Sequence, residues 1–92
     1  MNSAPSTEEI LKLIVMGLVK NPEKVEIKKK ITEMGTLLEI HCVPEDRQYV
    51  IGKRGSTFRL LSGLMRKIGA KNKQAVSLKI YEENDQRKTT NK

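Results

Sequence analysis

Several residue types are scarce in this chain of 92 residues, and each scarcity excludes a class of protein. A single cysteine excludes an internal disulfide and is typical of a reducing compartment. Tryptophan is absent and aromatic residues make up only 3% of the chain, which disfavours a binding sheet built on exposed stacked rings. No apolar run approaches the roughly 20 residues of a transmembrane helix, and the N-terminus lacks a signal-peptide pattern. We therefore expect a soluble, cytoplasmic protein without a membrane role.

Residues that carry metal or catalytic chemistry are equally few. His41 is the only histidine and directly precedes the only cysteine, Cys42. A zinc site needs about four ligands, so this pair is predicted to be an ordinary half-buried pair in a strand. Neighbours in a strand project to opposite faces and cannot act together as nucleophile and base. The sequence predicts no enzyme, no metal, no cofactor and no small-molecule substrate.

Acidic residues are missing from one long stretch of the chain. From Arg47 to Lys79 there is no Asp or Glu, while nine Lys and Arg residues occur. The net charge of the whole chain is +7. Because ordinary surfaces intersperse both signs, this stretch indicates a surface for a polyanion. The alternative is a generic basic protein whose lysines only aid solubility.

The first half of the chain predicts a helix, two strands and a short helix. Ser6 and Glu9 form a capping box before an apolar stripe, and this first helix is expected to end near Asn21. KVEIKKKIT predicts an edge strand with one solvent-exposed face, and LLEIHCV predicts a second strand. A short helix is predicted from about Glu45 to Ile51. The predicted apolar stripe of the first helix consists of Ile10, Leu11, Ile14, Val15, Leu18 and Val19.

The second half predicts a longer helix and a third strand. STFRLLSGLMRKIGAK has helical apolar spacing, with Gly69 as its expected C-terminal cap, and AVSLKIY alternates as a strand. The fold is therefore predicted to be α+β, with three helices on one face of a three-stranded sheet in the order α-β-β-α-α-β. We expect an extension at residues 1–6, one domain at 7–82 and a disordered polar tail at 83–92. The predicted core face of the longer helix is Phe58, Leu61, Leu64, Met65 and Ile68.

Two glycines bracket two cations between the short and the long helix, in the segment Gly52-Lys53-Arg54-Gly55. Glycine permits positive φ and lets the backbone approach a ligand closely. The free N–H groups at the start of a helix favour anions. Together with two adjacent positive charges, these features predict a clamp for phosphate groups.

The same segment resembles the KH domain family. VIGKRG, residues 50–55, is similar to that family's [VI]-I-G-x-x-G motif, and the element order is similar to the type II, prokaryotic topology. EEILKLIVMGLVKNPEKVEI and VPEDRQYVIGKRG resemble more closely the KhpA family of small stand-alone bacterial KH proteins, over roughly residues 7–82. That family usually has Arg or Lys directly after the second glycine. Here Ser56 follows instead, a residue suited to cap the next helix.

The resemblance implies a single-stranded RNA-binding module that grips about four nucleotides with little sequence selectivity. It implies an RNA chaperone or a post-transcriptional regulator, with bases lying in an apolar groove between two helices and a strand edge. On this basis Gly52 and Gly55 shape the loop, and Lys53 and Arg54 contact phosphate.

Four further residues are assigned to the same surface, and each has a second interpretation. Ile51 lines the groove floor or belongs to the core. Ser56 adjoins the clamp or caps the helix. Arg59 and Arg47 extend the basic track or are ordinary solvated charges.

The resemblance also implies a homodimer or a heterodimer with a second KH-containing protein. A different function stays open at this point, in which the KH fold docks a partner or the ribosome and RNA binding is secondary. Single-stranded DNA is a further alternative ligand, because a backbone clamp reads phosphates and only 2′-hydroxyl contacts distinguish RNA.

Overall fold

The computed structural model describes residues 5–82, and its order of elements confirms the predicted one. Short 3₁₀ turns precede β1, α2 and α3. Residues 1–4 and 83–92 lie outside the described residues, so the predicted polar tail and most of the predicted N-terminal extension lie there too. The helices and strands are α1 (Thr7–Met16), β1 (Glu26–Thr32), β2 (Gly35–His41), α2 (Arg47–Ile51), α3 (Ser56–Lys71) and β3 (Val76–Ile80).

The three strands form one mixed sheet in the order β1-β2-β3. β1 pairs antiparallel with β2, and β2 pairs parallel with β3. The lysine-rich β1 is an edge strand, as predicted, and charged residues on an edge discourage pairing with other chains. The three helices pack on one face of this sheet. The buried core between the two layers consists of Leu11, Val15, Val25, Leu38, Ile40, Val50, Leu61, Met65 and Val76.

The predicted capping box at the start of α1 is present. The Ser6 hydroxyl accepts a bond of 3.1 Å from the Glu9 N–H, and the Ser6 N–H donates to the Glu9 carboxylate at 3.0 Å. The predicted helix end near Asn21 is wrong, because α1 ends at Met16 with Gly17 as its cap. Glycine weakens a helix, and Asp46 accepts bonds from the N–H groups of residues 20 and 21 that a longer helix would have used.

Two predictions for α3 are also wrong. Gly69 is not the C-terminal cap, because the helix continues to Lys71. Gly69 is buried instead, where a Cβ would lie 2.5 Å from Cγ2 of Val76, so its small size lets α3 approach β3 closely. Leu64 was expected in the core, but 45% of its surface is exposed, since its side of the helix faces away from the sheet.

The short helix appears close to its predicted position. A 3₁₀ turn at Pro44–Asp46 leads into α2, and Val50 of α2 is fully buried. α2 therefore points its C-terminal end, with Gly52 as cap, into the glycine-bracketed loop. Within residues 5–82 no helix combines the length and apolar character needed to cross a membrane.

Candidate nucleic-acid interface

The loop between α2 and α3 has left-handed backbone geometry at three positions. Gly52 has a φ of 77°, Arg54 a φ of 55° and Gly55 a φ of 76°. The Gly55 N–H donates to the Gly52 carbonyl at 3.1 Å and closes the loop into a tight turn. Arg54 is thus a bulky residue in a region where such residues are uncommon. The loop holds its backbone in a shape that its glycines make accessible.

Gly52 is required for two separate reasons. Its φ is positive, and a Cβ at this position would collide with the side chain of Thr57 and lie 2.7 Å from its backbone nitrogen. Gly55 differs, because its added Cβ would meet only the Arg59 guanidinium, at an ordinary 3.6 Å. The first glycine is therefore fixed by packing and conformation, and the second by conformation alone.

Positive charge concentrates on this loop. Lys53 and Arg54 are exposed, and neither side chain has an ion pair with any described residue. Arg59, one turn into α3, donates from Nη1 to the Arg54 carbonyl at 3.2 Å. This bond supports the left-handed residue and places a third cation beside the other two. An exposed, unpaired set of this kind attracts phosphate groups.

The remaining predicted residues lie around the loop in different ways. Ser56 is the first residue of α3, and its side chain does not cap the helix, because Gly55 occupies the cap position without a side-chain bond. The capping interpretation is therefore wrong. Ile51 is half-buried and is not among the described apolar residues that pack on the core. This position is compatible with the groove interpretation.

A groove along α3 was missed by the sequence analysis. It has a volume of about 540 Å³ and brings the second half of α3 against the residues that lead into β3. Arg66 and Lys67 are exposed on its helical side. The signal was present in the sequence, because Arg66 follows Arg59 by seven residues and so lies on the same side of the helix. The groove is lined by Gly63, Arg66, Lys67, Ala70, Gln74, Ala75 and Val76.

Arg47 lies at the opposite end of α2 from the loop. It lines a separate small cavity at the ends of β2 and β3, together with His41 and Tyr81. The structure therefore groups Ile51 to Ser56 and Arg59 at one place and Arg47 at another. Sequence spacing could not distinguish these two places, because α2 was predicted only as a short helix of unknown orientation.

The open face of the sheet carries a buried carboxylate. Only 5% of Glu39 is exposed, and its carboxylate bonds to Nε2 of His41 at 2.9 Å and pairs with Lys30 at 3.5 Å. The bond to His41 lowers the pKa of Glu39 below its usual value, and the nearby Lys30 charge acts in the same direction against the opposing effect of burial. Glu39 is thus an anion held by two donors.

Cys42 packs partly against the core on the other face. Burial raises the pKa of its thiol, and the Asp46 carboxylate adds to this effect, so the thiol is neutral and poorly nucleophilic near pH 7. Among residues 5–82, no cluster of three or more His, Cys, Asp or Glu side chains could hold a metal ion.

The order of elements, with a G-x-x-G loop between two helices that pack on a three-stranded mixed sheet, defines a KH domain. The fold is similar to part of the Era protein of Aquifex aeolicus in its crystal structure with GDP.AlF4⁻. The TM-score is 0.55 at 18% identity, over 90% of this chain and 34% of Era. At this identity the similarity shows the fold alone.

The family is narrower than the fold. A family model described as KhpA/KhpB, KH domain, matches residues 8–80, and the chain belongs to this family. Relatives include the RNA-binding protein KhpA of Streptomyces coelicolor, 36% identical over 70% of this chain and 81% of that protein. The RNA-binding proteins KhpA of Caldanaerobacter subterraneus and Listeria monocytogenes are 32% and 33% identical, over 78% and 82% of this chain. The resemblance stated from the residues alone is confirmed.

Proposed function

We propose that the chain binds single-stranded RNA through the backbone of the strand. The observation that carries this proposal is the loop from Gly52 to Gly55, with its left-handed geometry, two exposed cations that pair with no acid of residues 5–82 and the supporting Arg59. Relatives named RNA-binding protein KhpA support RNA as the ligand. The groove along α3, with Arg66 and Lys67, continues the basic surface beyond the loop.

Low sequence selectivity follows from the kind of contact. Phosphate contacts position a strand but carry no sequence information, and the loop offers charges and backbone N–H groups. A few such contacts give weak binding, in the micromolar range or weaker at physiological salt. A weak, unselective binder of single strands fits an RNA chaperone or a post-transcriptional regulator.

Fluorescence anisotropy with a labelled single-stranded RNA, over a salt series, tests the proposal. The loop variant is Lys53→Asp with Arg54→Asp, because Asp tolerates the left-handed geometry of residue 54 better than most residues. Two lost phosphate contacts should flatten the slope of log K against log salt by about 1.4. We expect the variant to lose at least tenfold in affinity while its circular dichroism spectrum stays that of the wild type.

A matched control reverses the same number of charges elsewhere. Lys12 and Lys24 are exposed and lie outside α2, the loop and α3. Lys12→Glu with Lys24→Glu should retain most of the affinity. Equal losses in both variants would mean that RNA binds only through net charge, and unchanged binding in both would favour the docking alternative. A DNA strand of the same sequence tests the discrimination of RNA from DNA.

We further propose that the chain pairs with a second KH domain, in a homodimer or a heterodimer. Leu60 and Leu64 lie one turn apart on α3 and are 74% and 45% exposed, which is unusual for two neighbouring leucines. Light scattering after size exclusion should show a larger mass for the wild type than for Leu60→Glu with Leu64→Glu. Met34→Glu is the control, because Met34 is 87% exposed at the β1–β2 turn. A monomeric wild type that also stays monomeric with other KH proteins would overturn this proposal.

We assign no catalytic role to the domain, and we place it in the cytoplasm. The lone half-buried cysteine supports a reducing compartment. Fractionation of cells that express the tagged chain is the direct test of location. An RNA hydrolysis assay with purified protein tests the first assignment, and turnover sensitive to a point variant would contradict it.

A further inference from the structure

A small cavity lies where β2 and β3 end, beside the start of α2. Its volume is about 210 Å³, and its lining is His41, Cys42, Pro44, Arg47 and Tyr81. Pockets for drug-sized ligands occupy about 300–1,000 Å³. This cavity is therefore suited to a smaller chemical group, such as part of one nucleotide.

Two aromatic rings form one wall of the cavity. The rings of His41 and Tyr81 are stacked, with centroids 4.4 Å apart and planes inclined by 18°. The parallel pairing of β2 with β3 brings them together, since the Tyr81 N–H donates to the Ile40 carbonyl at 2.9 Å. The hydrogen bond between Nε2 and the Glu39 carboxylate fixes the orientation of the His41 ring. An ordered ring pair is a surface on which a nucleobase stacks with little selectivity.

Arg47 brings a positive charge to the lining of the same cavity. Its Nε is buried and has no hydrogen-bond partner in the described part of the chain. A phosphate group is the ligand that suits this side chain best, because the guanidinium fork matches phosphate geometry.

Two buried acids near the cavity are engaged by groups other than Arg47. The Glu39 carboxylate is engaged by His41 and Lys30. The Asp46 carboxylate accepts two bonds from Asn21, at 2.9 Å and 3.1 Å. Arg47 has no ion pair with any residue of the described range 5–82, so its positive charge can attract an anion from outside.

The cavity also lies within reach of a strand held by the glycine-bracketed loop. α2 joins the two places and has five residues, which corresponds to about 7.5 Å along its axis. Arg47 and Ile51 are four residues apart and so lie on the same side of this helix. A single strand that leaves the loop along this side of α2 comes to Arg47, which lines the cavity together with the ring pair.

We propose that this cavity is a stacking subsite for one nucleotide of the bound RNA strand, with its base against the His41–Tyr81 pair and its phosphate on Arg47. The inference rests on the proposed RNA-binding function and deepens it, because it adds a contact beyond the phosphate clamp. It also explains why an RNA-binding surface can use stacking in a chain with so few aromatic residues.

Oligonucleotides of two lengths test the proposal. Four nucleotides match the length that a KH groove holds, whereas eight can also reach the cavity. We expect Arg47→Gln and Tyr81→Leu to weaken binding of the octamer roughly five- to tenfold, as the loss of one stacked base does. Both should bind the tetramer like the wild type. Tyr81→Phe keeps the ring and should retain the octamer affinity.

Nuclear magnetic resonance gives a readout that needs no variant. His41 is the only histidine of the chain, so its ring protons give one resolved set of signals. The octamer should shift these signals upfield through ring-current effects, and the tetramer should not. AMP at millimolar concentration should shift them more than adenosine or inorganic phosphate, because only AMP combines base and phosphate.

The outcomes separate this inference from the function on which it rests. If the octamer moves the loop amides but leaves the His41 signals unchanged, or if Arg47→Gln binds both lengths normally, the subsite does not exist. If inorganic phosphate equals AMP, the cavity is an anion site without stacking, and the proposal is overturned. If the wild type binds neither oligonucleotide, the proposed RNA-binding function fails and this inference fails with it. A Tyr81→Leu variant that does not fold leaves Arg47→Gln and the His41 signals to decide.

Discussion

The carboxylate of Asp46 is completely buried and accepts two hydrogen bonds from Asn21, from its backbone N–H at 2.9 Å and from its side-chain amide at 3.1 Å. These residues are 25 positions apart in the chain. The pair ties the segment after α1 to the turn that starts α2. It therefore holds in place the helix whose other end carries the glycine-bracketed loop.

Removing this carboxylate should destabilise the fold strongly. Asp46→Ala leaves the N–H of Asn21 and its side-chain amide without their acceptor, and we expect a loss of about 2–3 kcal/mol in the free energy of unfolding. Urea denaturation followed by circular dichroism measures this loss. Glu45→Ala is the matched control, because Glu45 is exposed and its loss should cost under about 0.5 kcal/mol. Equal stability of the two variants would contradict the anchoring role.

Three glycine-to-alanine substitutions should change the free energy of unfolding by different amounts, and one of them should raise it. Gly52→Ala combines a positive φ with a collision against Thr57 and should cost about 2–4 kcal/mol. Gly55→Ala has the strained φ but free space, and it should cost about 1 kcal/mol. Gly63→Ala lies in α3 with nothing within 4 Å and should stabilise the helix by up to about 1 kcal/mol. Thermal and urea unfolding of the three variants give the ranking, and any other order would refute this account of the loop.

Stability should depend on pH through Glu39. Its pKa in the folded state lies below the ordinary value of 4.5, so the unfolded chain binds the proton more tightly. The stabilising contribution is fully present above the unfolded pKa and is lost as the pH falls through the lower folded pKa. Glu39→Gln should therefore show a smaller loss of stability between about pH 5 and pH 3 than the wild type. Glu33→Gln, at an exposed turn position, should lose stability on acidification as the wild type does.

The hydrogen bond from Arg59 to the Arg54 carbonyl and the charge of Arg59 should make separate contributions to RNA affinity. Arg59→Lys keeps the charge but loses the guanidinium fork, and we expect RNA affinity to fall about fivefold for the loss of one hydrogen bond. The salt dependence of binding should stay unchanged in this variant. Arg59→Gln removes the charge as well and should flatten the salt slope by about 0.7. If Arg59→Lys binds RNA like the wild type, Arg59 acts through charge alone and does not support the loop.

Much of the fold could be predicted because its signals are local. The capping box of Ser6 and Glu9 needs only residues three apart, and it was found as predicted. Two of the three left-handed positions of the loop are Gly52 and Gly55, whose conformational freedom is a property of the residue itself. The errors concern contacts between distant segments. Gly69 was interpreted as a cap because the sequence does not show that Val76 of β3 lies against it.

The sequence by itself determined the element order, the position of the glycine-bracketed loop and the acid-free basic stretch, because charge, periodicity and glycine conformation act over a few residues. Tertiary structure decided the rest. α1 ends early because the Asp46 carboxylate accepts hydrogen bonds from the backbone N–H groups of residues 20 and 21. The second half of α3 and the residues that lead into β3 line one groove. Tertiary structure also stacked His41 on Tyr81, two residues 40 positions apart in the chain, beside the buried Nε of Arg47. Contacts between such distant residues depend on the parallel pairing of β2 with β3 and on how the helices pack on the sheet, and no local sequence pattern encodes either.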